Sequence, residues 1–402
     1  MERLDVDILV AGGGVAGLAA TAAFAHAGFE TLCVDAEPPV TEAGQAGSDL
    51  RSTAFLMPAV EFLERIGLWG RLAPHAAPLR VMRLADAGGP EPAVRETADF
   101  AAAEIGQEAF GYNLPNWLIR RELVAHLAAT PGARLVAPAR VEGLVARTAG
   151  ALVRLPGAQA RARLVVAADG RDSFVREAVG IAARRWSYGQ KALVFTVAHP
   201  LPHDDVSTEI HRSGGPLTLV PLPDHEGGPA SAVVWMEEGP KAARLMALTE
   251  PEFEAALAER ACGVLGRLRL TSPRRLWPIV SQVAERLDGP RVALVAEAAH
   301  VVPPIGAQGL NMSLRDVAAL VELCAAARAR GEDPGTPELL ARYGRARHAR
   351  VLARVAGIDA LNRAAMAGWQ PFRDARRAGL RALHGTAPLR RAAMRMGLGG
   401  AA

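Results

Sequence analysis

The chain has 402 residues, which at roughly 150 residues per domain predicts two or three structural units and excludes a small single module. Lysine and arginine number 46 against 42 aspartate and glutamate, a formal charge of +4, so the charge balance gives no reason to expect a nucleic-acid partner. Lysine occurs only at Lys191 and Lys241, so the basic side is almost entirely arginine, and half of all residues are apolar, as expected of an ordered globular chain.

Cys33, Cys262 and Cys324 are odd in number, far apart and in no C-x-x-C pair, which supports neither a disulfide framework nor a zinc site and fits a reducing cytoplasm. The opening residues carry Glu2, Asp5 and Asp7 and run into an apolar stretch, unlike the basic start of a secretory signal. From Ile8 to Phe29 the only ionisable side chain is His26, a length that approaches a membrane span. The glycines Gly12 to Gly14 argue against a spanning helix, since each costs about 1 kcal/mol in a helix interior; they suit a tight turn.

Asp7 to Ala11 reads as a buried parallel strand, Val15 to Ala27 as a small-residue helix and Thr31 to Asp35 as the next strand, a βαβ unit. Helical patterns follow over about Ala54 to Leu72 and from Arg120 to Ala129, the latter ending at Pro131-Gly132. Short strand-like pieces occupy Leu135-Val136, Val141 to Ala146, Val153 and Leu164 to Ala168. Between Arg184 and Pro278, alternating stretches such as Ala192 to Val197, Leu217 to Leu222 and Ala232 to Met236 are separated by Pro and Gly turns, the pattern of an antiparallel sheet. Arg291 to Ala296 is again a buried strand, followed by a Pro/Gly loop and a helix over about Asn311 to Arg330. Thr336-Pro337-Glu338 starts a further helix, with Thr as N-cap and Pro at the first helical position.

Gly12-Gly13-Gly14-Val15-Ala16-Gly17 is G-x-G-x-x-G in the context that gives it meaning: a strand before it, a helix after it and Asp35 at the end of the second strand, placed for ribose hydroxyls. Its glycines suit a tight turn, approach of backbone to a pyrophosphate, and close helix–strand packing, while the helix N-terminus offers free N–H groups to phosphate. A dinucleotide is expected; this segment alone leaves NAD and FAD both open.

Two later segments bear on that choice. Ala167-Ala168-Asp169-Gly170-Arg171-Asp172-Ser173 resembles the "DG" fingerprint of the FAD-dependent aromatic hydroxylases, the group A flavoprotein monooxygenases. Ala296-Glu297-Ala298-Ala299-His300, continuing through Pro304 to Gln308-Gly309-Leu310-Asn311, resembles their "GD" fingerprint. Asp49-Leu50-Arg51, Tyr188-Gly189-Gln190, Pro221-Leu222-Pro223 and Val233-Val234-Trp235 resemble the ubiquinone-biosynthesis hydroxylase branch. The resemblance implies an α/β fold like that of para-hydroxybenzoate hydroxylase: a Rossmann-like FAD-binding domain (residues 1–75, 112–180 and 283–345) interrupted by an antiparallel β-sheet substrate domain (76–111 and 181–282), with a helical C-terminal tail (346–402).

The resemblance further implies FAD as cofactor, with NAD(P)H as a transient co-substrate docking near Asp169 and Arg171. It implies O₂ as the oxygen source through a flavin C4a-hydroperoxide, and a prenylated phenol of ubiquinone biosynthesis as the substrate. The residues carried over for the cofactor are Gly12, Gly14, Val15, Ala16, Gly17 and Asp35. Arg51 and Arg120 follow as cations for the pyrophosphate, Asp169 on the pyrophosphate side, Glu297 for ribityl hydroxyls, and the backbone N–H groups of Gly309, Leu310 and Asn311 for the flavin's pyrimidine end.

No side-chain nucleophile and no metal is expected, because the flavin carries the chemistry; His300 reads more readily as a packed hydrogen-bonding group than as a catalyst. Pro221, Leu222, Trp235, Pro303 and Pro304 are candidates for the substrate cavity, each equally open to being plain core.

The chain departs from the family pattern at three places: Ala296-Glu297 stands where Gly-Asp is usual, Ala307 where a glycine is usual, and Ser313 where glycine is common. A Cβ at Ala307 costs about 1–2 kcal/mol if that position is left-handed. From Phe372 to Ala402 there are seven arginines against the single Asp374, mixed with Leu380, Leu383, Leu389, Met394 and Leu398. That tail reads either as a helix packed on the body or as a basic amphipathic contact with an anionic inner membrane or a biosynthetic complex. A same-fold reductase or oxidase and a non-catalytic component of a lipid pathway are the rival functions.

Overall fold

The computed structural model describes residues 2–212 and 214–399. Strand β1 (Glu2–Ala11) lies between two parallel neighbours, β2 (Thr31–Val34) and the strand Ala158–Ala167. The parallel core of this first sheet continues through Val292–Leu294 on one side and Ala133–Val136 on the other. Ile8, Leu9 and Val10 are fully buried, as both faces of a parallel sheet require.

Helix α1 (Val15–His26) is buried from Ala16 to Ala25 and packs among β1, the helix Asn116–Ala129 and the helix Gln308–Ala329. Its run of alanines is what permits such close neighbours on all sides.

The second sheet has nine strands, centred on Ala183–Ala198, Gly228–Glu238 and Pro216–His225, with Val206–His211 and Val81–Asp86 beyond. Residues alternate across it. Phe195, Leu217, Leu219, Val233 and Trp235 point to one side, where Phe253 and Leu257 of the helix Glu250–Arg260 complete a core. Thr218, Val220, Ala232 and Val234 point to the other side and line a cavity. The fold is thus a Rossmann-like layer with an antiparallel sheet set over it, and a small three-stranded sheet of Ser52–Leu56, Gly111–Pro115 and Ala77–Leu79 stands between them.

The 30-residue helix Pro337–Met366 joins the two layers. Thr336 caps it, accepting from Leu339 N at 3.3 Å. Near its start, Tyr343 Oη donates to Leu294 O of the first sheet at 2.8 Å. Near its end, Asp359 accepts from Tyr188 Oη at 2.6 Å and Trp186 Nε1 at 2.8 Å on the second. Burial works against ionising Asp359, but Arg363, Tyr188 and Trp186 outweigh it and hold the carboxyl down to about 2.

The helix expected over Ala54 to Leu72 is instead the strand Ser52–Leu56 followed by short helices Met57–Arg65 and Trp69–Leu72. Pro58 sits in the first turn, where its missing N–H and fixed φ suit a helix start, and Ala54 to Leu56 before it pair with Gly111 to Asn113.

Candidate active site

The glycine turn after β1, the end of β2 and the Asp169-Gly170 turn enclose an outer cleft of about 1020 Å³. It continues inward, through Gly14, Arg120, Ala168 and Gly170, into a cavity of about 500 Å³ roofed by the second sheet and floored by the segment from Ala296 to Ser313. The three motif segments therefore meet along one continuous hollow.

The glycines divide the work. A Cβ on Gly12 would lie 2.3 Å from Ala168 O and one on Gly17 would lie 1.8 Å from Gly12 O; these two are required by backbone packing. A Cβ on Gly14 would meet nothing within 4 Å, because this residue faces the open cleft. Asp35 accepts from the Gly13 and Glu37 N–H groups at the end of β2.

Arg120 stands at the junction of cleft and cavity, and its Nε is buried with no hydrogen-bond partner among the described residues. Arg51, also in the inner cavity, is matched already: its guanidinium pairs with Asp49 at 2.8 Å and stacks 4.6 Å over the Trp277 ring. Of the two expected cations, Arg120 is the one without a carboxylate at its side. An orphaned guanidinium beside the free first-turn N–H groups of α1 suits a diphosphate.

Asp169 accepts from Ser173 Oγ at 2.5 Å and Val175 N at 3.0 Å. Burial raises its carboxyl above the usual range, and these bonds offset that only in part. Glu297 lines the inner cavity half-exposed, 3.4 Å from Arg171 Nε.

Gly309 and Leu310 lie in the first turn of the helix Gln308–Ala329 and line the cavity. Asn311 is different: its side chain is buried, accepting from Leu56 N at 2.9 Å and donating to Ala54 O at 2.7 Å. It ties the helix to the strand Ser52–Leu56 and does not line the cavity.

Of the expected cavity residues, Pro303 and Pro304 line it together with Val194, Val220 and Trp277. Trp235 corrects the expectation: it is 1% exposed and packs 5.9 Å from Phe253 in the core behind the sheet. Strand parity turns Val234 to the cavity and Trp235 away. Pro221 shares that outward parity and touches the site region only through its carbonyl, which accepts from Asn113 Nδ2 at 2.8 Å. Leu222 has the cavity parity but lies beyond the lining, packed on Ala230 and Ala232.

His300 lines the cavity and is buried. Its Nε2 donates to Asp316 Oδ2 at 2.5 Å, and Asp316 Oδ1 accepts from Arg347 Nε at 2.7 Å. Sequence reading passed over Trp277, Glu209 and the pairing of Arg171 with Glu297; none of them stands in a glycine-marked motif.

Two of the three departures from glycine prove to be backbone strain, while Ser313 lies within the helix Gln308–Ala329. Ala296 has φ 56° and Ala307 φ 55°, both in the left-handed region where a Cβ costs about 1–2 kcal/mol. Gly306 before it is also left-handed, at φ 60°, so it does not relieve Ala307. Ala307→Gly is expected to stabilise the fold by about 0.5–1 kcal/mol after the greater freedom of glycine in the unfolded chain is deducted, seen as a thermal midpoint raised by a few degrees. Ala296→Gly should be close to neutral, because Ala296 is buried and loses a methyl contact of about 0.8 kcal/mol.

The FAD binding domain family matches residues 5–357. The chain belongs to this family. The flavoprotein is 38% identical over 394 residues to the ubiquinone hydroxylase UbiL of Rhodospirillum rubrum, covering 98% of this chain and 89% of the relative. It is 27% identical to the 3-demethoxyubiquinol 3-hydroxylase of Escherichia coli, covering 99% and 100%. In fold it is similar to p-nitrophenol 4-monooxygenase PnpA from Pseudomonas putida, with a TM-score of 0.79, 20% identity and full coverage of both chains. It is a flavin-dependent monooxygenase with FAD as cofactor. The architecture expected from the motifs is the one observed. No group of His, Cys, Asp and Glu suited to a metal occurs among the described residues.

Proposed function

We propose that the protein hydroxylates the aromatic ring of a prenylated phenol on the way to ubiquinone, with NAD(P)H as electron donor and O₂ as oxygen source. The observation that carries this reading is the continuous hollow: a glycine-lined cleft with a lone arginine at its inner end, opening on an apolar cavity under the sheet.

Bound FAD supplies the oxygen-activating chemistry. Gly14, the first-turn N–H groups of α1 and Arg120 would hold the diphosphate, Asp35 the adenosine ribose and Glu297 the ribityl chain. The first turn of the helix Gln308–Ala329 would present Gly309 and Leu310 N–H groups to the ring system, favouring negative charge there. Val194, Val220, Val234, Pro303 and Trp277 exclude water around the substrate ring, which keeps activated oxygen from being lost as peroxide.

A polyprenyl substrate resides in membrane, and the C-terminal helices Gln370–Gly385 and Ala387–Leu398 are the contact we assign to it. Gly400 to Ala402 lie outside the described residues. The helices rest on the body: Arg376 pairs with Asp86, Arg381 with Glu96 and Arg390 with Glu104, while Leu380, Leu383 and Met394 pack near Phe100. Their outer side keeps Trp369, 72% exposed, with Phe372, Leu389 and Met396. Among the described residues no helix is long and apolar enough to cross a membrane. Trp369→Ser combined with Leu389→Ser is expected to lower co-sedimentation with anionic vesicles several-fold while leaving flavin absorbance intact; unaltered sedimentation removes this contact.

The function itself is tested by supplying ¹⁸O₂ and NAD(P)H with a panel of prenylated phenols and reading the products by mass spectrometry. One ¹⁸O per product ring is expected. Consumption of substrate without label would mark a reductase or oxidase on the same fold.

A further inference from the structure

One carboxylate faces the inner cavity from the roof, away from the cofactor motifs. On the strand Val206–His211, residues Ser207, Glu209 and His211 share a face, and Ser207 and Glu209 line the cavity. Beside Glu209 in register stand Leu84 on one neighbouring strand and Thr218 on the other, in a largely apolar wall with Met82, Val220, Ala232 and Val234, where the cation Arg83 is paired with Asp99 at 2.7 Å. Glu209 Oε1 lies 2.7 Å from His211 Nε2, and the two side chains are only 11% and 17% exposed.

The other charges near this pair are directed elsewhere. Asp86, in register with His211, is held by Arg95 and Arg376. Glu96, next to Asp86 on the following strand, pairs with Arg381. Glu237 on the strand Gly228–Glu238 pairs with Lys241, and Arg260, from the helix behind, donates to the Ile210 and Gly215 carbonyls. His211 is thus the group that addresses Glu209. An acid set in an apolar wall costs desolvation, and the polar group that an aromatic substrate brings to that wall is its ring hydroxyl.

We propose that Glu209 is the acid–base group of the hydroxylation, taking the proton of the substrate's ring hydroxyl, and that His211 is a positioning residue that aims the carboxylate through Nε2. This rests on the hydroxylase reading above. The hydroxyl O–H bond breaks, its proton goes to Glu209, and the electron pair left on oxygen raises the electron density of the ortho and para ring carbons. One of those carbons forms a C–O bond to one atom of O₂. It then loses its hydrogen as a proton and the ring regains aromaticity, while Glu209 returns its proton to the first oxygen. The second atom of O₂ leaves as water, reduced by the two electrons of NAD(P)H. Phenol, O₂, NAD(P)H and one proton give dihydroxylated product, NAD(P)⁺ and water.

The test is Glu209→Gln, which keeps size and shape. Flavin content is expected to match the wild type, while product formation falls by about a hundredfold or more, the range of acid–base catalysis, and NAD(P)H oxidation diverts to hydrogen peroxide. The loss should fall on kcat more than on KM. The residual rate should climb with pH toward about 10, where a phenol ionises without help. His211→Gln should reduce kcat less and leave the pH profile closer to that of the wild type. Glu209→Ala provides an independent reading, since added acetate should restore hydroxylation in the space left by the side chain. E209Q with wild-type product yield and pH profile, or E209A indifferent to acetate, overturns the proposal while the hydroxylase reading stands. Absence of ¹⁸O-labelled product from the wild-type enzyme overturns the hydroxylase reading instead.

Discussion

Gly17→Ala is expected to prevent accumulation of folded protein, whereas Gly14→Leu should fold and be colourless. The Cβ of an alanine at position 17 would stand 1.8 Å from Gly12 O, and neither backbone can move aside. Gly12 N donates to Val34 O at 2.8 Å, and the Gly17 carbonyl accepts from Thr21 Oγ1 at 2.8 Å. Helix α1 is enclosed between the sheet and two further helices, so lifting it off β1 would open the core on several sides. Overpacking commonly costs about 1–3 kcal/mol even where neighbours can yield; here the neighbour is backbone, and a loss above about 3 kcal/mol is expected.

Gly14 has open space around its Cβ position and an extended backbone, φ −67° and ψ 171°, so leucine there strains nothing and projects where the diphosphate would lie. Soluble yield and circular dichroism separate the two variants from each other, and the 450 nm flavin band separates Gly14→Leu from the wild type. A Gly17→Ala protein of wild-type stability would contradict the packing argument. A fully yellow Gly14→Leu would move the diphosphate elsewhere.

The second large effect is expected at Asp316, which is 0% exposed and takes hydrogen bonds from both His300 and Arg347. It links the helix Gln308–Ala329 to the helix Pro337–Met366 and to the cavity wall. Asp316→Ala leaves the Arg347 guanidinium buried with no counter-charge, a change that costs about 3–5 kcal/mol. Asp316→Asn keeps the shape and an acceptor oxygen and should cost clearly less. Urea unfolding followed by circular dichroism measures both. An alanine variant within about 1 kcal/mol of the wild type would mean that water enters and solvates Arg347, since a buried group so served escapes the desolvation penalty. His300, freed of its acceptor, should also reorient in the cavity, so flavin retention should weaken in the same variant.

The local grammar of the chain is written in near neighbours. A buried strand, three glycines and an alanine helix place a phosphate-binding turn wherever they occur together, because each requirement is met within twenty residues. The resemblance of the Asp169 and Glu297 segments to known fingerprints extended that to a flavoprotein of this architecture. The strain at Ala307 follows from the same reasoning, for a missing glycine is visible in a sequence even when its dihedral angle is not.

Packing across the molecule supplied the remainder. Alternation along Gly228–Glu238 tells that Val234 and Trp235 face opposite ways, but the sheet is covered on both sides, by helices on one and by the cavity on the other, so hydrophobicity alone cannot say which side each takes. Arg51 and Arg120 are equal candidates as letters; only the position of Asp49 beside Arg51 leaves Arg120 without a partner. Glu209 reads like any polar residue in an edge-prone strand until the strands beside it bury it. For Trp235 and Glu209 the deciding neighbours lie outside the local segment, on Phe253 behind the sheet and on the strand bearing Leu84, and the free energy of burial depends on them; for Arg51 even a neighbour two residues away is brought onto the guanidinium only by the folded turn.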